Sequence, residues 1–167
     1  MLSLVTTRFN NDTYNENQEF KNKYNYTGCI YGAPQEMSPK IAIDSFVFVL
    51  EMNNSQNRLE GIGLIKNMTR MDMYFKIYFT GNFNRYVYKG KHHIKRETLI
   101  RYNENLIDIL DQLLFKGYKH MKRGSGFTSV TEKILDNEIC RNINIKEEIK
   151  KIFIQIFGQT TTTDNMV

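Results

Sequence analysis

The chain has 167 residues, 41% of them hydrophobic and 13% aromatic, which is enough to bury one full-sized core and too short for a second. Its net charge of +5 is concentrated: residues 85–123 hold ten Lys or Arg against four acids, whereas residues 1–84 balance eight against eight and residues 124–167 hold five against six. No apolar run reaches the roughly 18 residues needed to cross a bilayer, and the only two cysteines, Cys29 and Cys140, share no CxxC spacing, which excludes a membrane span and a metal-knuckle or dithiol framework.

Residues 2–6 and 29–31 read as strands, with a short helix or loop over 17–24 between them. The opening stretch has a short apolar part and no basic leader, so the expectation is a soluble, intracellular, cytoplasmic protein whose two thiols are reduced and buried. Ser38-Pro39 has the chemistry of a helix start, although a turn fits it equally well. Residues 46–52 form an apolar, β-branched run interrupted only by Glu51, followed by five polar turn formers (53–57) and a returning strand over 59–65, which predicts a β-hairpin. Gly61 and Gly63 share one face of the returning strand and leave a strip without side chains, open to close packing or to a flat ligand. Residues 73–80 alternate like a strand with one wet face, and 86–88 read as a further short strand.

The period then changes. Leu106, Ile107, Leu110, Leu113 and Leu114 recur at three and four from Asn103, with Gly117 as a stop, which predicts an amphipathic helix. Ser129 and Glu132 have capping-box spacing for a short helix through Leu135, and Asn144 with Glu147 opens a final helix ended by Gly158. Strands first and helices last predict one α+β domain over 1–158, a small curled antiparallel sheet or barrel covered by C-terminal helices, with a fraying tail over 159–167.

Two parts of the basic segment carry the candidate site. Tyr86, Tyr88, Lys89, Lys91, His92, Lys95 and Arg96 interleave rings with cations, which suits single-stranded nucleic acid: bases stack on rings while cations follow the phosphates. Lys119, His120, Lys122, Arg123, Gly124, Ser125, Gly126 and Thr128 run toward the expected helix at 129, so the glycines could let backbone N–H groups converge on an anion at a helix N-terminus. Neighbouring His92 and His93 point to opposite sides of an extended backbone, and no residue set implies a metal or cofactor.

The hairpin FVFVLEMNNSQNRLEGIGLI (46–65) and the preceding GCIYGAP (28–34) resemble the central hairpin of PUA-like domains, the group that includes the EVE, ASCH and YTH types. That resemblance implies a small distorted barrel with flanking helices that binds RNA or modified bases. The tryptophan cage of the YTH type has no counterpart in a chain without tryptophan. The segments 28–34 and 120–128 are also similar to uncharacterised proteins of large DNA viruses, which implies a host-cytoplasmic or virion setting.

The resulting expectation is a non-catalytic protein that binds RNA or single-stranded DNA. With four to six phosphates neutralised, affinity should fall about 10²- to 10³-fold between about 50 and 200 mM salt. The alternatives are a structural or interaction protein whose basic face meets an acidic protein, and a metal-dependent enzyme acting on nucleic acid through Glu51 and Glu60, with Lys66 beyond.

Overall fold

The computed structural model describes residues 2–158; the expected tail at 159–167 lies outside them. The predicted hairpin forms from β3 (Phe46–Asn53) and β4 (Arg58–Lys66). The Asn53 side-chain oxygen accepts from the N–H groups of Ser55 and Gln56, and Asn57 takes the left-handed backbone that closes the turn. A bulge between Glu51 and Met52 lets Met52 face Leu59 and Glu51 face Gly61. β1 (Ser3–Phe9) lies parallel to β3. β6 (His92–Lys95) pairs outside β4, and β7 (Thr128–Ser129) outside β1.

The sheet order is therefore β6-β4-β3-β1-β7, open at both ends and mixed, which corrects the expectation of an antiparallel sheet or barrel. A parallel pair needs a crossover between its strands. Here the crossover carries α1 (Asn11–Lys23) and β2 (Cys29–Ala33). β2 pairs with β5 (Tyr86–Gly90) in a separate two-stranded sheet.

Period-two alternation divides the core into two layers. Leu4, Phe48, Leu50, Ile62, Leu64 and Ile94 face α2 (Arg96–Phe115) and α4 (Ile145–Phe157). Val5, Val47, Val49 and Ile65 face β2, β5 and α1 on the other side. The C-terminal helices cover one face, as expected, while α1 covers the other. α1 begins earlier than the expected 17–24, at a reciprocal cap in which Asn10 accepts from the Thr13 N–H and Thr13 Oγ1 accepts from the Asn10 N–H. α2 also begins earlier than Asn103, which stands inside it as a kink with φ −159° and caps the second half by accepting from the Leu106 N–H.

Two local expectations fail, and of the two readings open at Ser38-Pro39 the turn is the one formed. Residues 73–80 form no strand, because the Asn84 amide takes the strand partner's place: its oxygen accepts from the N–H groups of Ile77 and Tyr78, and its Nδ2 donates to the Tyr78 carbonyl. Phe75 and Ile77 are buried as the alternation requires, but Phe79 faces solvent. Ser38-Pro39 makes a turn closed by Ile41 N–H to Ser38 O, not a helix. Ser129 is captured by β1 as part of β7, so it caps nothing, and α3 (Glu132–Leu135) follows Thr131 as a single turn.

Candidate nucleic-acid interface

The second basic stretch sits at the tip of the β3–β4 hairpin, whereas the first runs along β4 from Lys89 and Lys91 at its far end back to Lys95, opposite Gly61, and Arg96, on the Leu59 carbonyl. Lys122 donates to the Asn57 side chain, and its carbonyl accepts from Asn54 Nδ2, which fixes it at the hairpin tip. Lys89 and Lys91 instead share a groove with Lys66, at the far end of β4. A nine-residue strand spans about 26 Å between first and last Cα. Lys89 and Lys91 therefore form a surface apart from Lys122.

The second stretch does not make an anion-binding nest. Its glycine loop leads into β7, so no helix N-terminus follows directly, and the loop turns its carbonyls inward: Arg8 donates from Nε to Gly124 O (3.1 Å), from Nη2 to Gly126 O (2.8 Å) and from Nη1 to Met121 O (3.4 Å). Gly124 and Gly126, at φ 97° and 68°, permit this wrapping. Ser125 and Arg123 stay exposed, as does Lys119, whose ammonium lies 5.9 Å from the Tyr118 ring centroid. His120 Nδ1 accepts from the Lys122 N–H, and the Thr128 carbonyl accepts from Thr6 Oγ1.

Within the first stretch the roles diverge. Tyr88 is a core residue: its hydroxyl accepts from the Met37 N–H at 2.9 Å and its ring meets Phe127 edge-on, so it offers no face to a base. Tyr86 is half-buried beside the Arg85 guanidinium. Arg96 is held by both oxygens of Asp111 (2.7 and 3.1 Å) and by the Leu59 carbonyl, which neutralises it. Lys95 is exposed on β6. His92 packs on Phe157 toward the helices while His93 turns toward Glu51, the opposed directions expected of an extended pair.

Lys89 and Lys91 remain, and the fold adds Tyr26, Lys66, Met68 and Arg70 to them around a groove of about 380 Å³. The Lys89 ammonium lies 4.6 Å from the Tyr26 ring centroid and 5.0 Å from that of Phe75. Partial burial, and then the nearby Arg70 charge, lower its pKa from the usual lysine value. Arg70 is gripped by Asp72 at 2.7 and 3.0 Å, and Lys66 lies 3.4 Å from Asp44. Lys89 and Lys91 form no ion pair within 4 Å among the described residues, although the Asp72 charge acts on Lys89 from farther off. Tyr26, Lys66 and Arg70 carried no local sequence signal. Tyr26 is joined to β5 by its hydroxyl on Gly90 O, and Arg70 by its N–H on Val87 O.

The acid-plus-lysine set is not assembled. Glu51 accepts from the Tyr31 hydroxyl at 2.6 Å and lies 2.9 Å from His93 Nε2. Glu60 is bound by Arg58 and Asn53, and Lys66 sits with Asp44. No protein-family model, curated protein or solved structure matches the chain.

Proposed function

We propose that this is a non-catalytic nucleic-acid-binding protein that holds a single strand in the groove lined by Tyr26, Lys66, Arg70, Lys89 and Lys91. The observation that carries the reading is the pair of cations outside any direct ion pair, Lys89 and Lys91, set beside a half-buried aromatic ring in a groove whose other rim is also basic. Phosphates gain from the cations, and a base stacked on Tyr26 contributes about 1–3 kcal/mol. The hairpin's likeness to PUA-like domains points to the same ligand class, and an intracellular setting, cytoplasmic or in a virion, belongs to the same proposal.

Fluorescence anisotropy with labelled RNA and DNA single strands tests it. Lys89→Glu with Lys91→Glu should weaken binding at least about tenfold, whereas Lys119→Glu with Arg123→Glu should leave it nearly unchanged. Absence of salt-sensitive binding by the unaltered protein, or equal losses in the two double variants, overturns the reading. A second reading, an acidic protein partner, is favoured by the exposed apolar side chains of Met68, Met71, Met73 and Tyr74 in and just after the groove rim. It predicts retention of an acidic protein that survives nuclease treatment and is lost when Met71 and Tyr74 become Ser.

A further inference from the structure

The pattern Lys-Arg-x-Ser/Thr, a hydroxyl with cations two and three residues before it, occurs twice: Lys122-Arg123-Gly124-Ser125 and Lys95-Arg96-Glu97-Thr98. Basophilic protein kinases select such hydroxyls because the preceding cations meet acids in the kinase's substrate groove. They also need the segment accessible and free to extend. The fold gives the two copies opposite fates. Thr98 stands in the first turn of α2, its hydroxyl accepts from Arg101, and its Arg96 is locked onto Asp111. Ser125 is exposed on a loop between two glycines, and Arg123 is exposed with no carboxylate partner among the described residues. The segment is held by side-chain hydrogen bonds, Lys122 on Asn57 and Asn54, Ser125 on Gln35 and Arg8 on the loop carbonyls, and these must open for it to extend into a kinase groove.

The same loop borders a receptor. Arg8, Thr7, Thr13 and Ser125 supply the polar side of a cleft of about 130 Å³, enough for a group the size of a phosphate, whose other wall is Phe9, Pro34, Tyr78 and Phe83. Arg8 has five N–H donors, of which the three carbonyls of the loop and Thr6 Oγ1 take four, leaving one on Nη2. No carboxylate among the described residues pairs with this half-buried guanidinium, so its positive charge lacks a counter-ion.

We propose that Ser125 is the phosphoacceptor of a basophilic serine/threonine kinase and that Arg8 receives the phosphate. In the transfer, Ser125 Oγ bonds to the γ-phosphorus of ATP and the bond from that phosphorus to the β,γ-bridging oxygen breaks. ADP leaves, and the hydroxyl proton passes to the kinase's base. The product carries a charge of about −1.5 to −2 at neutral pH, beside a cation that has no other anion. The site lies in the hairpin-tip region, apart from the groove at Lys89, and stands independently of the nucleic-acid reading.

Treating the folded protein with ATP and the catalytic subunit of cyclic-AMP-dependent protein kinase, followed by mass-spectrometric mapping, should place phosphate on Ser125 and not on Thr98. Ser125→Ala should abolish incorporation, and Arg123→Ala should slow it at least tenfold. No incorporation, or incorporation that persists in Ser125→Ala, overturns the proposal. For the receptor, the ³¹P titration of the phosphoprotein is compared with a phosphopeptide spanning 119–129, whose second ionisation lies near pH about 6. A lower midpoint in the folded protein supports the Arg8 contact, and an equal midpoint refutes it.

Discussion

Glu51 and its two glycine neighbours show how tightly individual residues set this fold. A Cβ on Gly63 would stand 2.2 Å from the Tyr31 hydroxyl and 2.7 Å from Cys29 Sγ, and one on Gly61 would stand 2.9 Å from Glu51 Oε2. The strip without side chains is thus filled from across the layer by Tyr31 and Cys29 and from the neighbouring strands by His93 and Glu51. Gly63→Ala should cost about 1–3 kcal/mol in denaturant unfolding. Gly81→Ala, with nothing within 4 Å of its added methyl, should change stability by less than about 0.5 kcal/mol. Burial alone would raise the Glu51 pKa, but the charge of His93, helped by the Tyr31 hydroxyl and Lys21, outweighs it and holds the carboxyl below its ordinary 4.5. A depressed folded pKa gives stability that is present above 4.5 and lost as pH falls through the lower folded value. Glu51→Gln replaces the buried carboxylate that accepts from the Tyr31 hydroxyl and faces His93 with a neutral amide, so it should lose about 1–3 kcal/mol. It should also flatten the acid limb of a stability-versus-pH series, and an unchanged limb would refute the assignment.

Among the elements, α2 and the segment before β5 depend on asparagines acting as local partners. Asn103 caps the second half of α2 and also donates to Glu148 of α4, joining the two helices over the core. Asn103→Ala should therefore cost about 1 kcal/mol by thermal or chemical denaturation, while Asn103→Asp keeps the cap but sets a second carboxylate against Glu148 and should recover only part of the loss. The sequence marked Asn103 as a helix start because the apolar stripe strengthens there. The preceding two turns, Arg96 to Tyr102, were hidden by their charged residues; they bury Leu99 in the core, and the break at Asn103 brings Arg96 back onto Asp111. α1 was obscured for a similar reason. Its inward face is Tyr14, Phe20 and a buried Asn17 that donates to the Ile30 carbonyl and Tyr78 hydroxyl, so a hydrophobic-period reading sees little. The 73–80 segment shows the reverse error: its alternation is real, but a strand requires a partner, and Asn84 supplied one without a ladder.

At the scale of the whole molecule, charge is divided by the sheet instead of pooled. Arg96 is spent on Asp111, Arg70 on Asp72, and the Lys122 region lies a hairpin's length from Lys89. Neutralising about three phosphates of a single strand gives a salt slope near −2, hence about a 20-fold loss of affinity between roughly 50 and 200 mM. That is smaller than the loss expected when all the cations were counted together. Anisotropy titrations across that range check it: a loss beyond a hundredfold would mean the second basic surface also engages the strand.

Taken alone, the amino-acid order determined the β3–β4 hairpin, the amphipathic faces of α2 and α4, the terminal cap at Asn144 and the concentration of charge between 85 and 123. Each of these depends on residues within a few positions of one another, where backbone propensity and periodicity act directly. The open mixed sheet, the pairing of β2 with β5, the neutralisation of Arg96 and the gathering of Tyr26, Lys66 and Arg70 beside Lys89 were decided only by the tertiary structure. They join residues tens of positions apart, and such meetings are set by which faces of the layers can bury each other and which buried charges find partners, quantities that no local window contains.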